Sequence, residues 1–210
     1  MLVVGLTGGI GSGKTVVTRM FEDEGAHIID FDYLARLIVE PDKPAWKDIV
    51  DYFGMGILLL DGTLNRSALA KIVFSDDKSR KVLEGFTHPR IFEKRDALLE
   101  TIREQDPSSI VIIDFPLLFE LGLRKEVDKV ILVYVPRDVQ LERATKRDGL
   151  SPEEVEKRLN AQVPIAEKRS LSDFVIDNSG NLKHTRDQVR KVMRELRELL
   201  KKEEAGTPCS

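Results

Sequence analysis

The chain has 210 residues, of which 41 % are hydrophobic and 33 % charged, with a formal net charge of −3. This composition is typical of a soluble globular protein with a sizeable core, and the lack of a basic excess argues against a protein that coats nucleic acid. Because no stretch approaches the ~20 apolar residues of a membrane span and the first motif begins too early for a signal peptide, we expect a cytoplasmic protein without nucleic-acid or membrane partners.

Residues 8–15 match the pattern G-x-x-x-x-G-K-[ST] of a phosphate-binding loop. The apolar run 2–6 before them predicts a buried strand, and the spacing of apolar residues in 16–24 predicts a helix. Glycine lets backbone N–H groups approach a phosphate closely, whereas a plain glycine-rich turn does not account for the Gly-Lys-Thr ending. We predict that Lys14 reaches the nucleotide phosphates and that the Thr15 hydroxyl serves Mg²⁺. The predicted nucleotide contacts are Gly8, Gly9, Gly11, Ser12, Gly13, Lys14, Thr15 and Val16.

A second strand, 26–29, ends in two carboxylates, Asp30 and Asp32. Parallel strands joined by a helix have their carboxyl ends at the same sheet edge, so we expect both carboxylates beside the phosphate-binding loop and facing one side. The alternative is that they cap the helix predicted from residue 33 onward, because Asp favours the N-cap position. Asp32 is a candidate for both tasks.

Residues 33–105 are predicted to form a helical insertion, with helical spacing over 45–53, 67–74 and 79–104. His88-Pro89 is predicted to interrupt the third of these helices, because proline disfavours the α conformation of the residue before it. By analogy, an insertion at this point is where nucleoside-monophosphate kinases hold the phosphate acceptor.

The apolar run 110–113 predicts a central strand that is buried on both faces. Asp114 follows it and is a candidate for the water shell of a Mg²⁺ ion; the alternative is a turn or capping carboxylate. A fourth strand, 129–135, and a helix, 139–146, come next.

Residues 147–169 are rich in cations and are predicted to form a lid over a bound triphosphate. Ser151 and Glu154 have the spacing of a capping box, which predicts a helix start within this segment. Arg143 is predicted as a catalytic cation and Arg147 as a nucleotide contact. The alternative is a solvated charged surface, as is common for charge runs.

A fifth strand, 174–177, precedes a turn in which Asn178 is predicted to lie against the nucleotide. A final amphipathic helix, 185–203, is interpreted as packing, and residues 205–210 as a disordered tail. The predicted fold is therefore an α/β phosphate-loop NTP hydrolase fold, with a five-stranded parallel sheet between helices. Its nucleotide-binding core would comprise residues 1–32, 106–146 and 170–204.

These motifs together resemble the dephospho-coenzyme A kinase family over nearly the whole chain. The residues that carry the resemblance are 6–15, Asp30-x-Asp32 with Ala35-Arg36, Asp61-Gly62 with Arg66, His88-Pro89, 114–120, Gln140-x-x-Arg143 and 177–180. The block 114–120 is the most specific of them, because a generic phosphate-loop protein does not need it.

The resemblance implies transfer of the γ-phosphate of ATP to the ribose 3′-hydroxyl of dephospho-coenzyme A, the last step of coenzyme A synthesis. It implies ATP with Mg²⁺ as cofactors, Asp32 as the base for the hydroxyl, and the insertion as the site of the pantetheine end. With Lys14 and Arg143, Asp32 completes the predicted catalytic set.

Two other functions compete with this interpretation. A GTP-dependent switch would carry an Asn-Lys-x-Asp motif, which the sequence lacks. Another nucleoside-monophosphate kinase would differ only in its acceptor. The sequence leaves the oligomeric state open.

Overall fold

The structure is a computed structural model that describes residues 1–206, with side chains described through residue 202. The chain divides into two compact units: one holds residues 1–29 and those from 102 onward, and the other is Asp30–Thr101. The predicted helical insertion, 33–105, overlaps the second unit. Of the predicted disordered tail, 205–210, the first two residues end the last helix, and 207–210 lie outside the described residues.

Strands and helices are interspersed along the described residues. The strands are β1 (Leu2–Gly8), β2 (His27–Asp30), β3 (Ile110–Asp114), β4 (Lys129–Tyr134) and β5 (Phe174–Asp177). The helices are α1 (Lys14–Asp23), α2 (Phe31–Leu37), α3 (Pro44–Phe53), α4 (Arg66–Ser75), α5 (Asp77–Gln105), α6 (Arg137–Asp148), α7 (Pro152–Asn160), α8 (Ile165–Leu171) and α9 (Leu182–Gly206). None of these helices, which lie within residues 1–206, is long and apolar enough to span a bilayer.

The strands of the described residues form one five-stranded parallel sheet in the order β2-β3-β1-β4-β5. The central strand β1 pairs with β3, where Leu6 lies opposite Asp114, and with β4 on its other side. Every residue of β3 is buried, as expected for an inner strand with helices on both faces. The register places the carboxyl ends of β1 and β3 side by side. The predicted fold class is confirmed.

Helices α1 and α9 pack together on one face of the sheet and form its main core. The amphipathic pattern predicted for the last helix is confirmed, because its apolar stripe is buried in this core. The buried members of the stripe are Val189, Val192, Met193, Leu196 and Leu200. Each such side chain contributes roughly 1.5–3 kcal/mol relative to an exposed one.

The second unit consists of α2, α3, α4 and most of α5. Between α3 and α4 the chain makes a short 3-10 turn, Met55–Ile57, and an antiparallel bridge between Leu58 and Leu64. The Asp61 carboxylate accepts hydrogen bonds from the N–H and hydroxyl of Thr63 within this connection. The turn predicted at Asp61-Gly62 therefore lies inside the bridge.

The predicted interruption at His88-Pro89 is wrong, because α5 continues from Asp77 to Gln105 with Pro89 inside it. Proline removes one N–H from the helical hydrogen-bond ladder and crowds the carbonyl four residues before it. In the affected turn, the Phe86 carbonyl accepts a hydrogen bond of 2.7 Å from Arg90 Nη1. The carbonyl that loses its helical donor is that of Gly85, and the Arg90 contact is made to the neighbouring carbonyl in the same turn.

Candidate active site

The predicted phosphate-binding loop connects β1 to α1, as its motif requires. β1 ends at Gly8, and α1 begins at Lys14 with Gly13 as its N-cap. Gly11 and Gly13 have φ angles of 73° and 81°, which residues with a Cβ rarely adopt. The loop leads directly into the N-terminus of α1, where unpaired N–H groups and the helix dipole favour an anion.

Lys14 lies beside the carboxyl end of β3 and forms an ion pair with one oxygen of Asp114. The other carboxylate oxygen accepts a hydrogen bond of 2.8 Å from Thr18 Oγ1. Only 16 % of the Lys14 side chain and 8 % of the Asp114 side chain are exposed. The structure therefore brings two predicted site residues together. Sequence reasoning missed Thr18, whose signal was its position one helical turn after Lys14.

Thr15 and Val16 occupy the exposed first turn of α1. No group of three or more His, Cys, Asp or Glu side chains within the described residues could hold a metal ion by itself. A divalent cation at this end of α1 would therefore need phosphate oxygens in addition to Thr15 and Asp114, which is how Mg²⁺ usually binds in nucleotide sites.

The tip of the loop is held by two glutamines that sequence reasoning did not assign to the site. Ile10 N–H donates to Gln162 Oε1 over 3.1 Å, and the Ile10 carbonyl accepts from Gln140 Nε2 over 3.0 Å. Gln140 belongs to α6, and Gln162 follows α7. The Ile10 side chain packs against a small apolar cluster formed by these helices. Gln140 is 2 % exposed; it belongs to the motif Gln140-x-x-Arg143, but no contact with the loop was predicted for it.

Asn178 supports the loop from β5. Its Nδ2 donates to the Ser12 carbonyl over 2.8 Å, and its Oδ1 accepts from Thr185 Oγ1 over 2.9 Å. Arg143 Nη1 donates to the Asn178 carbonyl over 3.0 Å. The Asn178 side chain is therefore buried against the loop backbone, and its contact with nucleotide stays a prediction.

The predicted lid segment, 147–169, contains the end of α6, α7 and part of α8. Its predicted capping box is present: Ser151 and Glu154 each accept the other's backbone N–H. Arg147 is exposed and paired with Asp148. The hydrogen bonds that Arg147 donates to Asp148 raise the pKa of Arg147 and lower the pKa of the Asp148 carboxyl. The contact of Arg147 with nucleotide stays a prediction.

Asp30 and Asp32 do not share an extended segment, so the prediction that they face one side is wrong. Asp30 ends β2 and caps α2, with its side chain accepting a hydrogen bond of 2.9 Å from the Tyr33 N–H. Asp32 lies exposed in the first turn of α2. The capping task falls to Asp30 because the helix begins two residues earlier than predicted.

In the second unit, Asp32 lies within electrostatic range of Arg66. Burial and the positive charge of Arg36 lower the pKa of Arg66, while the Asp32 charge raises it. Elsewhere in the same unit, residues of α2, α3 and α5 line a cavity of about 540 Å³. Its lining combines apolar side chains with the cations Lys43, Arg90 and Lys94 and the carboxylate of Glu93; Arg90 is also paired with Asp48.

Comparison with known proteins identifies the family. A family model described as dephospho-CoA kinase matches residues 2–184. The chain belongs to the dephospho-CoA kinase family. A dephospho-CoA kinase from Syntrophus aciditrophicus is 45 % identical over 203 residues, covering 97 % of this chain and 85 % of that protein. One from Syntrophotalea carbinolica is 46 % identical over 199 residues, covering 93 % and 92 %.

Solved structures also resemble this member of the dephospho-CoA kinase family in fold. A crystal structure of a protein from Thermus thermophilus matches with a TM-score of 0.78 and 34 % identity, covering 93 % of this chain and 97 % of that one. The dephospho-CoA kinase from Campylobacter jejuni matches with a TM-score of 0.70 and 29 % identity over the same shares.

Proposed function

We propose that the protein phosphorylates the ribose 3′-hydroxyl of dephospho-CoA with ATP, yielding CoA and ADP in the last step of CoA biosynthesis. The observation that carries the proposal is the pairing of Lys14 with Asp114 at the end of a complete phosphate-binding loop, in a chain of the dephospho-CoA kinase family. Phosphoryl transfer depends mainly on positioning and on electrostatic stabilisation of the transferred group. The loop and Lys14 supply both.

Within this reaction, the N-terminus of α1 would bind the nucleotide phosphates, and the Lys14 ammonium would neutralise charge on the transferred group. Arg143, which lies beside the loop through its bond to Asn178, is proposed as a second cation for that group. For Arg147 we propose a contact with bound nucleotide that replaces its pairing with Asp148.

A Mg²⁺ ion fits the oxygen donors present near Lys14. Thr15 would offer its hydroxyl, and Asp114 would act through water because its two oxygens already bond to Lys14 and Thr18. Held there, the ion would neutralise negative charge on the nucleotide phosphates.

Asp32 is proposed as the general base that orients the acceptor hydroxyl and takes its proton. Its exposed carboxylate at the start of α2 supports this role, because a base must reach the acceptor oxygen within hydrogen-bond distance. Asp32 also lies within electrostatic range of the Arg66 guanidinium, whose pKa its charge raises.

The second unit is proposed to hold the acceptor. Its cavity of about 540 Å³ lies in the range of small-molecule sites. Apolar walls suit the pantetheine end, and the cations Lys43, Arg90 and Lys94 suit a diphosphate. A cytoplasmic location and the lack of nucleic-acid or membrane partners stay predictions from the sequence.

One experiment tests the function directly. The purified protein is given ATP and Mg²⁺ with dephospho-CoA, AMP, other nucleoside monophosphates or no acceptor, while ADP release is followed. We expect ADP release with dephospho-CoA to exceed that with every other acceptor, and mass spectrometry to show a product heavier by one phosphate. Preference for a nucleoside monophosphate would overturn the proposal.

A further inference from the structure

The block 114–120 begins at the Lys14 ion pair and ends at a second, more deeply buried ion pair. Glu120 Oε1 lies 2.6 Å from Lys168 Nζ, with side-chain exposures of 13 % and 0 %. Lys168 belongs to α8, within the predicted lid segment. Neither the phosphate-binding motif nor the proposed chemistry uses this pair.

We propose that Glu120 and Lys168 are positioning residues for phosphoryl transfer, which act by fixing Gln162 against Ile10 of the phosphate-binding loop. The proposal rests on the proposed kinase function for its kinetic consequences. Its structural part, the control of Ile10, stands on contacts within the first unit alone.

The first step runs through the peptide that joins Gln162 to Val163. Glu120 Oε1 accepts a hydrogen bond of 3.1 Å from the Val163 N–H as well as facing Lys168. Fixing this N–H fixes the plane of the peptide group between residues 162 and 163. Gln162 is thereby held in the orientation in which its Oε1 accepts the Ile10 N–H.

The second step concerns the loop tip. Ile10 is restrained by three contacts. Its N–H bonds to Gln162, its carbonyl bonds to Gln140, and its side chain packs on the cluster of α6 and α7. These contacts fix the peptide groups on both sides of Ile10, in the loop that would surround the phosphates. Small misplacements of such groups are costly in transfer reactions.

The block between the two ion pairs is anchored to the sheet. Leu118 is fully buried and lies over Gly5 of β1, where a Cβ would come within 2.5 Å of Leu118 Cδ1. The Leu118 carbonyl also accepts the Leu123 N–H over 2.9 Å. The position of Glu120 is therefore set from the central strand, and the segment after α7 is positioned by reference to the sheet.

Stability alone does not account for a buried pair of this kind. Removing two charges from water costs about as much as their attraction returns, so replacing both partners by apolar residues is often neutral. The Glu120 Oε2 and Lys168 Nζ atoms are also buried without a hydrogen-bond partner among the described residues, so the contact between the two side chains is ionic and not a hydrogen bond. Orientation of the Val163 N–H and of Gln162 is the effect that this geometry does provide.

The test replaces both partners together, because a single substitution would leave one buried charge unpaired. In Glu120→Leu/Lys168→Met, we expect a folded protein whose kcat for dephospho-CoA falls about 10- to 100-fold, with little change in KM for dephospho-CoA. In Glu120→Gln/Lys168→Met, the glutamine carbonyl can again accept the Val163 N–H, and we expect most of the kcat to return. A purely structural pair predicts no such rescue.

A double-mutant cycle tests whether the Glu120–Lys168 pair acts through Gln162. Gln162→Leu should reduce kcat to a similar extent, and combining it with Glu120→Leu/Lys168→Met should add little, because both changes release the same contact. Arg137→Met serves as the control. It removes an exposed contact of α6 with Glu156 and Asn160 and should leave kcat unchanged.

A measurement without substrate separates this proposal from the proposed function. Amide exchange of Ile10, followed by NMR, should accelerate at least ~10-fold in both Gln162→Leu and Glu120→Leu/Lys168→Met relative to wild type. Unchanged Ile10 exchange in the folded double variant, or fully additive losses of kcat, would overturn the positioning role. A wild-type protein inactive on dephospho-CoA would instead overturn the proposed function, and the exchange result would stand.

Discussion

Lys14 and Asp114 depend on each other for stability as well as for chemistry. In Lys14→Ala, transfer should fall by about 100-fold or more, because a donor aimed at the transferred phosphate is lost. The free energy of unfolding should fall by about 1–3 kcal/mol, because the largely buried Asp114 carboxylate keeps only Thr18 as a partner. Single-turnover transfer and urea unfolding measure the two effects.

The double variant Lys14→Ala/Asp114→Asn is the matched control for this prediction. It removes the unpaired charge, so stability should recover while transfer stays low. Normal transfer in Lys14→Ala would contradict the assignment of the phosphate-binding loop.

Asp32 and Asp30 form a natural comparison, since they are two residues apart and differ in their contacts. Asp32→Asn keeps the side-chain shape but removes the proton acceptor, so kcat should fall at least ~100-fold, with ATP affinity nearly unchanged. Asp30→Asn should keep both activity and stability, because asparagine caps helices as well as aspartate does.

Single-turnover transfer at saturating dephospho-CoA, together with ATP binding, measures all three proteins. Near-normal transfer in Asp32→Asn would contradict its role as the base. If Asp114→Asn abolished transfer and kept its Mg²⁺ dependence, the base would be Asp114.

Among the helices and strands, the sequence correctly predicted the features that depend on local residue patterns. The five strands and the capping box at Ser151 follow from apolar runs and from one spacing, and the structure contains them. The start of α2 was misplaced because Asp30 and Asp32 are equally good caps by type, and only the bond to Tyr33 distinguishes them. Pro89 was misjudged because the rule applied to it treats proline as a helix end, whereas α5 continues through Pro89 to Gln105.

The turn from β5 to α9 makes the stability of the protein depend on pH in the acidic range. The titrating group is Asp177, the residue before Asn178, which contacts the loop. The pKa of the Asp177 carboxyl lies below its ordinary value of 3.8. Burial raises this pKa, but the hydrogen bonds from the hydroxyl and N–H of Ser179, together with the charges of His184 and Arg169, lower it by more than burial raises it. Because the folded-state pKa is the lower one, this stabilisation is complete above the ordinary value and disappears as pH falls through the folded-state value.

Asp177→Asn should therefore be less stable than wild type by at most about 1 kcal/mol near neutral pH. The difference should shrink as pH falls below about 4. Thermal unfolding of both proteins across this range measures it. In a Ser179→Ala background the difference should be smaller at every pH, and a difference that grew on acidification would contradict the assigned contacts.

For the molecule as a whole, the candidate site is assembled from segments that are distant in sequence. The block 114–120, Gln140 of α6, Gln162 after α7, and Asn178 all come together at the loop 8–15 because β1, β3, β4 and β5 are neighbours in one parallel sheet. Motif reasoning identified the loop and Asp114, since each has a local pattern. It missed Gln140 and Gln162 because their partner, Ile10, is 130 and 152 residues away.

The division into two units predicts that the two substrates protect different parts of the chain. If the first unit binds ATP, a non-hydrolysable ATP analogue should slow amide exchange in the loop, in α1 and at the end of β3. If the second unit holds the acceptor, dephospho-CoA should slow exchange within 30–101. Some amides exchange only in open states that have released the ligand. At a ligand concentration of about 100 times Kd, the exchange of these amides should slow by about 100-fold.

Hydrogen exchange with mass spectrometry resolves these regions as separate peptides. Lys14→Ala is the control for the nucleotide: its protection by the ATP analogue should weaken, while protection of 30–101 by dephospho-CoA persists. Protection by dephospho-CoA confined to peptides outside 30–101 would contradict the acceptor assignment and leave the nucleotide assignment intact. Because the two ligands are added separately, each unit is tested by its own ligand.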